Sequence, residues 1–232
     1  GRGMAPAFDI VGFDLDGTLL DTSATLTRAV NAALAHGGRP PLHIDEVKPM
    51  IGGGARKMLE HGLRATGPVD DAEFATLYQV LLDVYGADLA AGTIPYPGMI
   101  DALDALAATG SRLAVVTNKF ERFAVGLLAD LGLLDRFATV IGGDTLGRGQ
   151  AKPSPAPILA MIRRLGGGRA VFVGDSVYDV LAARDAGIPS IAVSFGFLLQ
   201  PVDALGADAV IDHYAELLPA LDRLAARAAV AG

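Results

Sequence analysis

The 232 residues, 51% hydrophobic and 19% charged, form a globular composition long enough to bury a sizeable core, which excludes a disordered chain. A net charge of −7 without any basic run leaves no footprint for nucleic acid or an anionic membrane, so the expected partner is a small molecule. The absence of cysteine excludes disulfides, thiolate metal sites and a cysteine nucleophile, and it fits a reducing compartment.

No apolar run approaches the ~20 residues of a membrane span, and the start lacks a signal-peptide core, so the chain reads as cytoplasmic. Gly1-Arg2-Gly3 ahead of Met4 reads as a cloning remnant. The first element is an apolar run from residue 8 to 13, rich in Val, Ile and Phe, which stops at Asp14 and Asp16 and then Gly17-Thr18. This is the pattern of a buried strand that carries acids to its own end. Apolar residues at spacings of three and four predict a helix over 23–36, with Thr22 or Ser23 as its N-cap. A short helix over 44–50, another over 55–65 opened by Ile51-Gly52-Gly53-Gly54, and a longer one over 71–89 follow. From Pro95 onward, helices over 99–108, 121–131, 156–165 and 177–186 alternate with apolar strands over 113–116, 139–141, 170–173 and 190–193. A last strand over 209–211 precedes a C-terminal helix to about 229.

Short apolar strands alternating with helices predict an α/β fold with a doubly wound parallel sheet, a Rossmann-like core. The strandless block reads as an inserted all-helical cap. The expected division is 4–20 and 94–232 for the core and 21–93 for the cap.

In such a sheet, ligands bind beyond the carboxyl ends of the strands. Polar residues recur there: Asp14 and Asp16, then Thr117-Asn118-Lys119, then Gly174-Asp175-Ser176. Two carboxylates one residue apart share a proton, hold a cation, or lie in an exposed turn. Thr117 either binds an anion at a helix N-terminus or caps that helix. Asp175 and Asp179 are placed for chemistry or for the helix dipole. Lys152, stiffened by Pro153 and Pro155, can neutralise a phosphoryl oxygen and neighbouring carboxylates.

Phe13-Asp14-Leu15-Asp16-Gly17-Thr18-Leu19 resembles the first motif of the haloacid dehalogenase-like phosphohydrolases. Thr117-Asn118, Lys152-Pro153 and Gly174-Asp175 with Asp179 resemble its second, third and fourth motifs in order. Within that family, Tyr96-Pro97-Gly98, Val116-Thr117-Asn118-Lys119, Gly142-Gly143-Asp144-Thr145 and Ile51-Gly52-Gly53-Gly54-Ala55 are most similar to phosphoglycolate phosphatases. The resemblance implies that Asp14 attacks phosphorus to form an aspartyl-phosphate, which water then hydrolyses. It implies Mg²⁺ on Asp14, Asp175 and the Asp16 backbone carbonyl, with Asp16 as general acid and base. Thr117 and Lys152 would hold the phosphoryl group, Asp179 would orient Lys152 or a metal-bound water, and Gly17, Thr18 and Asn118 would lie against substrate.

The cap would choose the substrate, and Arg56 or Lys57, directly after the triple glycine, is the candidate contact for a substrate carboxylate. The expected reaction is hydrolysis of 2-phosphoglycolate. The alternatives are another small phosphate, such as a sugar phosphate (N-acetylmuramate 6-phosphate) or pyrophosphate, and a non-catalytic binding member of the fold.

Overall fold

The computed structural model describes residues 5–231, so Gly1-Arg2-Gly3 and Met4 lie outside the described residues. The chain opens with β1 (Ile10–Phe13), then β2 (Leu20–Asp21). Four helices follow: α1 (Ser23–His36), α2 (Ile44–Val47), α3 (Ala55–Thr66) and α4 (Asp71–Ala87). β3 (Ile94–Pro95) leads to α5 (Met99–Ala108), β4 (Arg112–Val116), α6 (Glu121–Asp130) and β5 (Thr139–Ile141). Then come α7 (Ala156–Arg164), β6 (Ala170–Gly174), α8 (Val177–Asp185), β7 (Ser190–Val193), β8 (Ala209–Ile211) and α9 (Leu217–Ala231).

Six strands form one parallel sheet in the order β5-β4-β1-β6-β7-β8. The chain builds outward from β1 to β5 and returns to its other side with β6, which makes the doubly wound arrangement expected from the alternating pattern. β1 and β6 are buried along their whole length, as strands covered on both faces must be. One face packs on α5, α6 and α9 through residues such as Phe13, Leu103, Leu127 and Leu221, and the other packs on α7 and α8 through Met161, Phe172 and Ala183. Each large side chain sealed in these layers contributes about 1.5–3 kcal/mol of transfer free energy.

Register places the chemistry. Phe13 lies opposite both Val115 and Val173, so the three central strands end nearly level and Asp14, Thr117 and Asp175 leave the same edge. The Asp14 amide still donates to the Val173 carbonyl at 2.9 Å, which extends the ladder one residue past the strand.

Between β2 and β3 the chain is helical, and α1, α3 and α4 pack around Leu34, Leu59, Leu63 and Leu81 in a cluster that Phe123 and Phe197 join from the sheet side. β2 and β3 pair antiparallel at the two crossings into this block. Two-residue strands carry no periodicity, which is why the sequence pattern passes over them. The helix expected over 44–50 stops at Val47 and continues as a 3₁₀ turn, Lys48–Gly53, because Pro49 and Gly52-Gly53 do not sustain α-helix. No helix among the described residues is long and apolar enough to cross a membrane.

Candidate active site

At the level edge of the sheet, Lys152 sits at the centre of a buried cluster. Its ammonium donates to Asp14 Oδ1 at 3.1 Å, Asp179 Oδ1 at 2.6 Å and the Val116 carbonyl at 2.8 Å, which uses all three donors. Burial alone would push this ammonium down, but Asp14 and Asp179 outweigh it and hold the pKa above its ordinary value. Asp179 in turn takes the Asp175 amide and the Ser176 amide and hydroxyl on Oδ2, as the third residue of a capping box that starts α8. With both oxygens filled, Asp179 is committed to fixing Lys152 and the helix start.

Asp14, Asp175 and Asp179 bring carboxylate oxygens within 4.8 Å of one another. Burial pushes Asp14 up to about 7, Asp179 adds to the rise, and Lys152 opposes it. Burial and then Asp14 raise Asp175 well above the usual carboxylate range. Asp175 Oδ2 accepts the Phe197 amide at 2.8 Å, whereas Oδ1 is buried without a donor. A buried orphan oxygen beside a second carboxylate needs a shared proton or a cation. Hard oxygens and excess negative charge fit a divalent cation held by Asp14 and Asp175, with Asp179 already spent.

Asp16 belongs to a separate group. Thr22 Oγ1 donates to Asp16 Oδ1 at 2.6 Å, and Lys119 Nζ reaches the same oxygen at 3.0 Å. Lys119 also donates to the Tyr85 hydroxyl of α4. Burial opposes the charge of Lys119, but Asp16 and Tyr85 outweigh it, so this pKa too is raised. Thr22 stands at the N-cap of α1 as expected, yet its side chain caps nothing. Its hydroxyl goes to the buried carboxylate, which is the stronger acceptor.

Thr117 is buried at the cavity wall, and its Oγ1 accepts the Lys119 amide at 3.1 Å, which leaves its own proton to donate. Asn118, expected against substrate, lines the cavity, and its side chain also ties two segments together. It exchanges two 2.9 Å hydrogen bonds with the Lys152 backbone and donates to the Gly52 carbonyl at 3.3 Å. Gly17 and Thr18, also expected against substrate, are buried behind the acids and do not line the cavity. At φ +79°, Gly17 makes the turn, and a Cβ there would overlap Asp175 Oδ2. The Thr18 hydroxyl is buried without a partner, while its carbonyl takes the Tyr214 hydroxyl at 2.6 Å.

A cavity of about 540 Å³ opens above Asp14 and Asp16, between the sheet edge and the helical block. Leu81, Phe120 and Phe123 make much of its wall apolar. Arg56 and Lys57 line it, but both are engaged. The Arg56 guanidinium pairs with Glu60 at 3.5 Å and lies 4.7 Å from the centre of the Phe74 ring, and Lys57 Nζ lies 5.2 Å from that of Tyr178.

Lys119, Tyr85 and the turn Gly196-Phe197 that binds Asp175 have no role in the motif pattern. The signal for Lys119 and for the turn was present, since both follow apolar strands at the edge that carries the acids. Tyr85 had none, because its partner lies across the cavity from its own helix.

The family model of haloacid dehalogenase-like hydrolases matches residues 8–187. A phosphoglycolate phosphatase of Caulobacter vibrioides is 42% identical over 210 residues, covering 89% of this chain and 88% of that one. Another from Agrobacterium fabrum is 42% identical over 231 residues, covering 97% and 98%. The crystal structure of a predicted phosphoglycolate phosphatase from Haemophilus somnus 129PT superposes with a TM-score of 0.86 at 30% identity, covering 92% of this chain and 98% of that one.

Proposed function

The chain belongs to the haloacid dehalogenase-like hydrolases and is a phosphatase, and on that premise we propose that it hydrolyses 2-phosphoglycolate, with Mg²⁺, through an aspartyl-phosphate. The observation that carries the mechanism is the division of labour beneath one cavity. Asp14 is held by Lys152 beside an orphaned Asp175 oxygen, and Asp16 is held apart by Lys119 and Thr22. Two carboxylates in different environments can take different roles, and a cation on Asp14 would favour the ionised form that its attack needs.

Asp14 attacks phosphorus in line, the bond to the leaving alkoxide breaks, and Asp16 delivers the proton that the alkoxide needs. Water then attacks the aspartyl-phosphate while Asp16 takes its proton, which releases phosphate and restores Asp14. The Thr117 hydroxyl, which lines the cavity with its proton free, donates to an equatorial oxygen, while Lys152, behind Asp14 with its three donors engaged, stabilises the spreading charge through its field alone. Asp179 keeps Lys152 in place. Asp14, Asp175 and the Asp16 backbone carbonyl would hold the Mg²⁺, which would neutralise the repulsion between the anionic nucleophile and the phosphate.

Phosphoglycolate is supported by the names of the relatives, which are similar along nearly their whole length. A larger sugar phosphate is the second reading, and the apolar-walled cavity of about 540 Å³ favours it, being roomy for a two-carbon leaving group. Residues 21–93 form the cap that selects the leaving group, and α1, α3 and α4 supply most of the apolar cluster within it. A cysteine-free chain acting on a small phosphorylated metabolite suits the cytoplasm.

A phosphate-release screen over phosphoglycolate, hexose and amino-sugar phosphates, glycerol phosphate and pyrophosphate, with Mg²⁺ and with chelator, tests this. Turnover of phosphoglycolate that needs Mg²⁺ is expected. Preference for a hexose phosphate would select the second reading, and phosphate release that is indifferent to chelator would reject the metal site.

A further inference from the structure

Among the described residues, one buried charge, Lys119, has no part in that reaction. We propose that Lys119 is a positioning residue that fixes the Asp16 carboxylate and, through Tyr85, ties it to the seating of helix α4, so that the acid is set only while α4 is docked. This rests on the reading of Asp16 as acid and base.

Three contacts carry the inference. Lys119 Nζ and Thr22 Oγ1 both land on Asp16 Oδ1, which fixes the rotation of the carboxylate. Among the described residues, Asp16 Oδ2 takes no side-chain hydrogen bond, so one oxygen is clamped and the other is left for the reacting group. The partners come from separate parts of the chain. Lys119 follows β4, Thr22 stands where the chain enters the helical block, and Tyr85 is in the last turn of α4.

The Lys119 side chain is 6% exposed, and its ammonium lies 4.2 Å from the centre of the Tyr85 ring as well as donating to the hydroxyl. Phe123 meets that ring edge-on at 5.2 Å, which fixes the phenol in turn. If α4 moves away, the ammonium loses one of its two protein partners and gains water. Its hold on Asp16 then weakens severalfold as the local dielectric rises.

The test compares kcat/KM for two kinds of ester in the full-length protein. One is an alkyl phosphate that the wild type turns over, which needs the acid; the other is p-nitrophenyl phosphate, which needs it little. Lys119→Met is expected to lose about 100-fold on the alkyl ester and only a few-fold on the aryl ester, in the range of a misplaced general acid. Lys119→Arg should recover part of that loss. Tyr85→Phe, nearly isosteric and therefore expected to fold, should lose about fivefold with the same leaving-group bias, as one hydrogen bond in a network does. In an Asp16→Ala background, adding Lys119→Met should cost less than about threefold more, because both act through one group.

Equal losses on both esters for Lys119→Met and Tyr85→Phe would overturn the proposal. So would a rise in KM confined to carboxylate-bearing esters, which would make Lys119 a substrate contact. Asp16→Ala separates the two levels. A leaving-group bias there but not in Lys119→Met defeats only the Lys119 inference, whereas no bias in Asp16→Ala defeats the acid reading together with it.

Discussion

The acids on the floor of the cavity are backed by a buried cation and its roof carries exposed ones, and the surroundings give those cations different weight. Beneath the floor, Lys152 is almost sealed from water and spends every donor on Asp14, Asp179 and a carbonyl. On the roof, the Arg56 side chain is 64% exposed and reaches one glutamate at 3.5 Å. A buried, fully partnered charge holds its neighbours rigidly, whereas an exposed pair contributes about 0–1 kcal/mol and rearranges readily. The floor is thus built for fixed chemistry, and the roof can adapt to a leaving group.

Replacement of the nucleophile tests that contrast most severely. Asp14→Asn should lower kcat by at least about 10⁴-fold, since covalent catalysis has no substitute group here. Its unfolding temperature without Mg²⁺ should equal or exceed that of the wild type, because one of three crowded carboxylates is gone. Residual turnover near the wild-type level would remove Asp14 from its role.

Stability against pH tests the floor without any substrate. Asp14 is raised to about 7 from an ordinary 3.8, and Asp175 is raised as well. The folded state therefore binds more protons than the unfolded state between those values. The Asp14 contribution to the stability of the metal-free protein should be lost as pH rises from about 4 to 7, and Asp175 adds a loss in the same direction. Mg²⁺ should raise the unfolding temperature more at pH 8 than at pH 5. Thermal scans at both values check this, and an equal effect would place the cation elsewhere.

Asn118 joins floor to roof, since its side chain holds both the Lys152 backbone and the Gly52 carbonyl. Asn118→Ala should cost about 1–3 kcal/mol of stability and lower kcat about tenfold or more through a displaced Lys152. A change in KM alone would return Asn118 to the substrate contacts first expected of it. The smallest effect is expected on the roof. Arg56→Ala should shift KM for phosphoglycolate by less than about threefold and stability by under about 0.5 kcal/mol. A selective rise of tenfold would show that the guanidinium leaves Glu60 for the substrate.

Much of the architecture is legible locally. Apolar runs closed by Asp14, Thr117 and Asp175 identify the buried strands and, by the rule for parallel sheets, the edge where the site collects. Lys152 is legible too, because flanking prolines and a cluster of acids at the same edge leave an ammonium there one obvious use. Such features depend on neighbours in the chain or on a symmetry of the fold, and both survive in a linear pattern. Partner choice across space does not. Thr22 looks like an N-cap until Asp16 takes its hydroxyl, and nothing near Asn118 in the chain shows that its amide holds Lys152 and Gly52. Lys119 could have faced solvent, but the docking of α4 brings Tyr85 over it and removes the water that would have screened it from Asp16. The sequence alone determined the sheet, its reactive edge and the acids upon it. Only the packed structure decided which base holds which acid, because hydrogen-bond partners and dielectric are properties of the neighbourhood and not of the residue.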